Sequence, residues 1–387
     1  MDYFLTDDQL AIQETARAIA QKKIKPVREH YDETEKYPWE IVEEMRKADL
    51  FGVYLPQEYG GLGGGGFELA LVVEELSRAC GGIALAIAAT ALGAFPILLH
   101  GTEEQKKKYL PDLASGKRLG AFTITEPEAG SDATATQATA KREGDHYILN
   151  GTKVFCTNGE AAEIYTTFFS TNPRRGARGI SCFVVEKGTP GFTFGKKEKK
   201  MGIRASPTYT LLFDDCKVPK ENLLGMEGGG LLVAQSTFDI SRPGVAAQAL
   251  GIAQGALDES FAYARVRRQF GRSVASFQGI QHRLAEMATR VEAARALLYS
   301  VARAMDKIKD RRWTQESAMV KLFCSDTSMW VTTEAVQICG GIGYMRDFPV
   351  EKYMRDAKIT QIYEGTNEIQ RNEIAYHMIK QAASKKT

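Results

Sequence analysis

The apolar residues of this chain change their spacing twice, and that change restricts the fold more than any single motif does. Up to about residue 120 they recur at helical intervals. Thr6-Asp7-Asp8-Gln9 has the form of a capping box, and Ile12, Ala16, Ile19 and Ala20 follow on one face. Pro38 stands where a helix can start, with Ile41, Met45 and Ala48 at helical spacing after it. The glycine-rich run 60–66 is too flexible for regular structure and predicts a loop before a helical stretch from Leu69 to Cys80. Thr102-Glu103-Glu104-Gln105 offers a second capping pattern.

Between about 121 and 230 the spacing becomes that of strands. His146-Tyr147-Ile148-Leu149 and Thr152-Lys153-Val154-Phe155 flank Asn150-Gly151, which predicts a hairpin turn at that dipeptide. Strand-like runs follow at Ile164 to Ser170, Ser181 to Glu186 and Tyr209 to Phe213. After residue 230 the helical period returns. Leu284, Met287, Val291, Ala294, Leu298, Val301 and Met305 alternate steps of three and four, predicting one long helix with a narrow apolar seam. With 387 residues the chain exceeds the roughly 250–300 at which one core divides. The expectation is an α+β multidomain protein: an N-terminal all-helical domain over 1–120, a middle antiparallel β-barrel domain over 121–232, and a C-terminal four-helix-bundle domain over 233–387.

Several function classes are disfavoured. Fifty basic and 48 acidic residues give a formal charge of +2, so no dedicated nucleic-acid surface is expected. Six cysteines lie far apart with no C-x-x-C pair, which suggests neither a metal site nor a disulfide framework. Met1-Asp2-Tyr3-Phe4 has neither a secretory nor a transit-peptide start, and no apolar run is expected to reach the roughly 18–20 residues that a membrane span needs. A cytoplasmic protein is expected, or one of the mitochondrial matrix if a presequence was removed. His30, His100, His146, His282 and His377 are scattered with no nucleophile motif beside them. Gly340-Gly341-Ile342-Gly343 follows an apparent helix rather than a strand, so a Rossmann phosphate loop is a poor reading.

Two segments remain. In Phe122-Thr123-Ile124-Thr125-Glu126-Pro127-Glu128-Ala129-Gly130-Ser131-Asp132, hydroxyls gather around a proline-bearing turn. That composition suits a ligand-facing loop and equally an ordinary helix-to-strand connection. In the segment from Arg355 to Glu368, Glu364-Gly365 interrupts a regular pattern and frees a carboxylate and adjacent N–H groups. A solvated glutamate at a helix start fits as well, because Thr366 and Asn367 have capping chemistry.

Taken together and in order, the motifs resemble the acyl-CoA dehydrogenase family over essentially the whole chain. They are Thr125-Glu126-Pro127 with Gly130-Ser131-Asp132, Asn150-Gly151-Thr152-Lys153 with Thr157-Asn158, Arg267-Arg268-Gln269-Phe270-Gly271, Gln337-Ile338-Cys339-Gly340-Gly341-Ile342-Gly343-Tyr344 and Ile362-Tyr363-Glu364-Gly365-Thr366. The resemblance implies an FAD-dependent α,β-dehydrogenation of an acyl-CoA thioester, in which Glu364 takes the α-proton and hydride passes to flavin N5. It implies that Phe122, Ile124, Thr125 and Ser131 meet the flavin, with Ser131 also near substrate, and that Phe155 and Thr157 pack on and bond to its ring. Many relatives carry Trp at the position of Phe155. Arg267 would meet the pyrophosphate, whose oxygens a guanidinium can pair twice. Phe270 and Gln278 would lie against the adenosine. Gln337, Gly340 and Gly341 would come from a neighbouring subunit of a homotetramer, and Thr366 and Glu368 would complete the adenine side.

For the substrate, the resemblance implies that Phe238, Asp239 and Arg242 lie along the CoA and that Gly365 lies near the thioester. Some relatives place the base at the position of Ser241, which cannot serve here, so Glu364 is the family-consistent candidate. That arrangement is typical of short-, medium- and branched-chain enzymes. Pro243 is expected to start or kink its helix. Electron-transfer flavoprotein is the implied acceptor, in fatty-acid β-oxidation. An acyl-CoA oxidase, a dehydrogenase of cyclic or dicarboxylic acyl-CoA, and a non-catalytic flavin-binding relative are the alternatives.

Overall fold

The computed structural model describes residues 3–308 and 310–384. Met1 and Asp2, which enter the expectation about targeting, and residues 385–387 at the limit of the expected C-terminal domain lie outside the described residues. The first helix, α1 (Asp7–Ile19), opens on the predicted capping box. Gln9 N–H donates to Thr6 Oγ1 at 3.3 Å, and Thr6 N–H donates to Gln9 Oε1 at 3.1 Å. Helices α2 (Arg28–Thr34), α3 (Trp39–Lys47), α4 (Gly66–Ala79) and α5 (Gly81–His100) follow. The second predicted box, Thr102 with Gln105, starts α6 (Glu103–Ala114). One expectation is corrected here: α5 is long and apolar enough to cross a membrane. Its most apolar stretch is 78% buried inside the chain, which is the packing of a core helix.

Strands β1 (Gly120–Thr123), β2 (Thr139–Glu143), β3 (His146–Thr157), β4 (Ile164–Ser170), β5 (Ile180–Glu186), β6 (Phe192–Lys197), β7 (Thr208–Pro219) and β8 (Leu223–Leu224) form one eight-stranded sheet. Its order is β6-β7-β3-β2-β4-β5-β8, with β1 beside β4. Among the described residues the end strands β6 and β8 do not pair with each other, so the sheet is open rather than the expected closed barrel. Nor is it wholly antiparallel, because β1 and β2 each run parallel to β4.

The predicted hairpin is also misplaced. Asn150-Gly151 lies inside β3, and the chain reverses instead between Glu143 and His146. At Asn150 the β3–β7 register slips, forming a bulge. Asn150 Nδ2 donates to Asp215 Oδ1 at 3.0 Å, and Asp215 N–H donates to Asn150 Oδ1 at 2.8 Å. Gly151, at φ +140, would bring a Cβ within 2.5 Å of Ala138 Cβ. The dipeptide therefore serves close strand approach instead of a turn.

The remaining helices are α7 (Gly230–Val266), α8 (Gln278–Lys307), α9 (Thr314–Cys339), α10 (Val350–Thr360) and α11 (Asn367–Ser384). A small hairpin, β9 (Arg268–Gln269) and β10 (Arg272–Ser273), joins α7 to α8. The predicted seam of α8 is buried from Met287 to Met305, with Leu284 partly covered. Pro243 does not start its helix; α7 runs through it over 37 residues. Tertiary packing on both sides overrides the single lost backbone bond. Arg295 Nε and the Tyr299 hydroxyl, on α8, donate to the buried Glu74 carboxylate of α4 at 2.9 and 2.8 Å, tying the two helical regions together.

Candidate active site

Two buried side chains shape the loop after β1. The Glu126 carboxylate accepts the backbone N–H of Gln137 at 2.7 Å and of Ala138 at 3.2 Å. Lys153 of β3, with a wholly buried side chain, donates to the same carboxylate at 2.6 Å and reaches the Ile124 carbonyl at 3.4 Å. Val154 N–H donates to Thr125 O at 2.9 Å. An acid from one motif and a lysine from another thus clamp the segment that carries Thr125 and Ser131. Burial pulls the Lys153 ammonium below its ordinary range, and Glu126 pulls it back. Lys153→Met, which leaves Glu126 buried without its cation, is expected to cost about 3–5 kcal/mol of stability in chemical denaturation. A midpoint equal to wild type would show that the clamp contributes nothing.

On the same strand, Phe155 has φ +59 next to a second register slip between Lys153 and Cys156. This backbone turns a large ring outward until it is 65% exposed, with Thr157 two residues on. An apolar surface presented in that way fits a planar ring system laid against it.

Facing this loop is the turn between α10 and α11. Glu364 has φ +52 and Gly365 φ +91, and any Cβ at Gly365 would stand 2.6 Å from Gln370 Nε2. A non-glycine residue in the left-handed region is held there only by its surroundings. The Glu364 carboxylate accepts the Ser241 hydroxyl of α7 at 2.5 Å. Burial raises its pKa, while the Ser241 bond and the charges of Arg242 and Lys321 lower it. Among the described residues no group in the chain accepts the Glu364 amide N–H, which is left for an acceptor in the cleft.

Between loop and turn lies a cleft of about 870 Å³. Its buried, apolar part is lined by Leu85, Ala89, Phe95 and Val245, with Gln248 as a polar member. Gln248 Nε2 donates to Gly81 O at 2.9 Å, and its Oε1 accepts the Tyr363 hydroxyl. The exposed part is polar, with Arg312, His377 and Lys380. Arg242 also lines the cleft at 5% exposure, and among the described residues its Nε and Nη1 have no hydrogen-bond partner. Its guanidinium lies over the Phe238 ring, 5.8 Å from the centroid.

Of the residues singled out from sequence, the cleft gathers Phe122, Ile124, Thr125, Ser131, Phe155, Thr157, Phe238, Asp239, Arg242, Glu364 and Gly365. One oxygen of Asp239 accepts from Arg312 Nε at 2.7 Å and Thr314 Oγ1 at 3.1 Å, and among the described residues the other, Oδ1, is buried without a hydrogen-bond partner. The others lie outside it. Arg267 follows the end of α7, Phe270 is 93% exposed at the tip of the small hairpin, and Gln278 begins α8. Gln337, Gly340 and Gly341 are exposed where α9 ends. Thr366 accepts the Ile369 N–H at 3.4 Å, and Glu368 is exposed in the first turn of α11.

Four roles were missed from sequence. Glu126 and Lys153 stood in quoted motifs, but their pairing was not foreseen. Gln248 was detectable as the one amide in the apolar run 245–250, and Lys321 as a lysine among small and apolar helical neighbours.

No ligand is needed to see the kinship of this site. Three family models match in succession: the acyl-CoA dehydrogenase N-terminal domain over residues 6–117, the middle domain over 121–216 and the C-terminal domain over 228–379. The chain is 47% identical to the short-chain-specific acyl-CoA dehydrogenase of Clostridium acetobutylicum, over 96% of this chain and 98% of that one. It is similar in structure to the butyryl-CoA dehydrogenase of Megasphaera elsdenii, with TM-score 0.95 and 46% identity, covering 98% and 100% of the two chains. A chain from a structure described as the electron transferring flavoprotein of Acidaminococcus fermentans matches with TM-score 0.95 and 48% identity, covering 98% and 99%.

Proposed function

We infer the reaction from the premise that this chain belongs to the acyl-CoA dehydrogenase family. It is a flavoprotein oxidoreductase that dehydrogenates an acyl-CoA thioester, with Glu364 as the base and a short acyl chain as the preferred substrate. The observation that carries this reading is the Glu364 turn. It places Glu364 in the wall of the cleft with its carboxylate and with a backbone N–H that no group among the described residues accepts. A C–H beside a thioester is a weak acid, so a carboxylate removes it only when a donor stabilises the oxygen that gains charge. The Glu364 N–H is that donor, and the side chain of the same residue takes the proton. Ser241 holds the carboxylate in place, and Arg242 favours its ionised form.

When bound, FAD would supply the hydride acceptor. Phe122, Ile124, Thr125, Ser131, Phe155 and Thr157 would hold its ring end, a fit supported by the outward Phe155 ring and the clamped loop. Arg267, Phe270, Gln278, Thr366 and Glu368 would hold the nucleotide end. The exposure of Arg267, Phe270, Gln278 and Glu368 in one chain suits completion by Gln337, Gly340 and Gly341 of a second copy, in a homotetramer. At Gly340 and Gly341 an added Cβ would meet nothing within 4 Å, leaving room for close approach. Electron-transfer flavoprotein is the proposed acceptor, as the Acidaminococcus match suggests. The domain limits are proposed as 1–120, 121–232 and 233–387.

The preference for short chains follows from Gln248. Its hydrogen bonds to Gly81 and Tyr363 set a polar amide in the apolar part of the cleft, where added methylenes would displace it. Each methylene shifts discrimination by about 1–3 kcal/mol. Anaerobic butyryl-CoA is expected to bleach the yellow protein faster than octanoyl-CoA, and Gln248→Ala should narrow the gap. Failure of either thioester to bleach it would remove the enzymatic reading. Rapid peroxide formation in air would instead make the protein an oxidase.

A further inference from the structure

We propose that Lys321 is a positioning residue for this reaction: its ammonium fixes the carbonyl side of the Glu364–Gly365 turn and supplies a counter-charge to the ionised base. The proposal deepens the reading of Glu364 as base and rests on it. Lys321 lies on α9 at 0% exposure, in a helix face buried at Ala318, Val320, Cys324 and Ser325. An ammonium removed from water is normally paired with an anion. Among the described residues Lys321 has no carboxylate within ion-pair distance. It donates instead to two neutral oxygens, Gly365 O at 2.8 Å and Asn367 Oδ1 at 2.9 Å. Asn367 is itself fixed, donating to Ser325 Oγ at 2.9 Å and Asp326 Oδ1 at 2.7 Å.

The turn is therefore held from two helices. Gln370 of α11 donates to Glu364 O at 3.0 Å and Gly365 O at 2.9 Å, while Lys321 of α9 takes the Gly365 oxygen from its own side. Those bonds keep Glu364 in a backbone region that it would otherwise leave, and so aim its N–H and carboxylate together. The charge has a second consequence. Lys321 is under the influence of Glu364, Arg242, Asp326 and Glu368, with Glu364 the strongest of these. Glu364 in turn is faced by Ser241 and Arg242 of α7 and by Lys321 of α9, and Tyr363 lies beside it. Burial draws the Lys321 ammonium down to about 7, and the Glu364 carboxylate draws it back up. A cation without an ion-pair partner is best compensated when Glu364 is ionised, which is the form that accepts a proton.

Lys321→Gln removes the charge and keeps a donor; Lys321→Arg keeps the charge. In the flavin-loaded protein, the Gln variant should move the acid limb of the kcat–pH profile up by about one unit, the scale of a nearby charge at an effective dielectric constant of ~20. It should lower kcat by roughly tenfold to a hundredfold, as misplacement of a reacting group does, with KM little changed. The Arg variant should restore the position of the limb. Difference infrared titration of the Glu364 carboxyl without substrate should show the same shift, independently of turnover. An unshifted infrared titration and acid limb in Lys321→Gln would overturn the proposal, even if melting temperature fell. Failure of the base assignment is seen separately, as retained activity in Glu364→Gln.

Discussion

Glu364→Gln is expected to purify yellow and to turn over its thioester roughly 10⁴-fold more slowly than wild type, the upper range for loss of a general base. The side chains differ by one atom, so the amide can still accept the Ser241 hydroxyl and fill the same space. The backbone N–H that would polarise the thioester is unchanged, and the proposed contacts to the flavin ring come from β1, β3 and the loop after β1, outside the turn that is altered. Substrate affinity should therefore survive while the chemical step fails. The wild-type pH profile supplies a second measurement. Burial lifts the Glu364 carboxyl, so its acid limb should lie above the ~4.3 of a free glutamate, with activity increasing as pH rises through it. Stopped-flow reduction with butyryl-CoA would test both. Retention of a tenth or more of the wild-type rate would remove Glu364 from the mechanism.

Arg242→Met is expected to raise stability while lowering activity by about a hundredfold. Arg242 is 5% exposed, and among the described residues its buried Nε and Nη1 have no hydrogen-bond partner. Burial opposes its charge, and the carboxylates of Glu373, Asp239 and Glu364 compensate only in part. A buried, incompletely bonded charge costs free energy, and replacing buried ionic groups with apolar side chains of similar volume is neutral or stabilising by about 1–4 kcal/mol when no partner charge is left unpaired. The same charge lowers the pKa of Glu364 and leaves N–H donors in the cleft for substrate oxygens. Its removal should raise the acid limb and KM together. Chemical denaturation of the ligand-free protein, set beside kcat and KM, would decide the matter. A destabilised variant with wild-type kinetics would contradict both halves of the expectation.

The helices were legible because their signals are local. Capping boxes at Thr6 and Thr102 started helices where the side chains could bond their own backbone, and the seam of α8 followed from its spacing. The strands were harder. Asn150-Gly151 has turn chemistry, yet pairing with β7 on one side and Ala138 on the other kept the chain extended there. Pro243 failed as a helix boundary for a similar reason, since neighbours on several sides hold α7 in place. The apolar run of α5 was overlooked, and its burial shows it to be core.

At the site, residue types and order were enough to single out Glu364-Gly365 and the Thr125–Ser131 loop, and the family resemblance gave them roles. The sequence by itself determined which groups can do the chemistry: a carboxylate, hydroxyls and a glycine that permits a left-handed turn, since these are properties of single residues. Only the tertiary structure decided that Ser241, Arg242, Lys321 and Gln370, drawn from three separate helices, converge on that turn. Convergence of that kind depends on how helices pack, with Ser241 123 residues and Lys321 44 residues from the atoms they bond in the turn, and neither the strength of a hydrogen bond nor the shift of a buried carboxyl exists until that packing has excluded water.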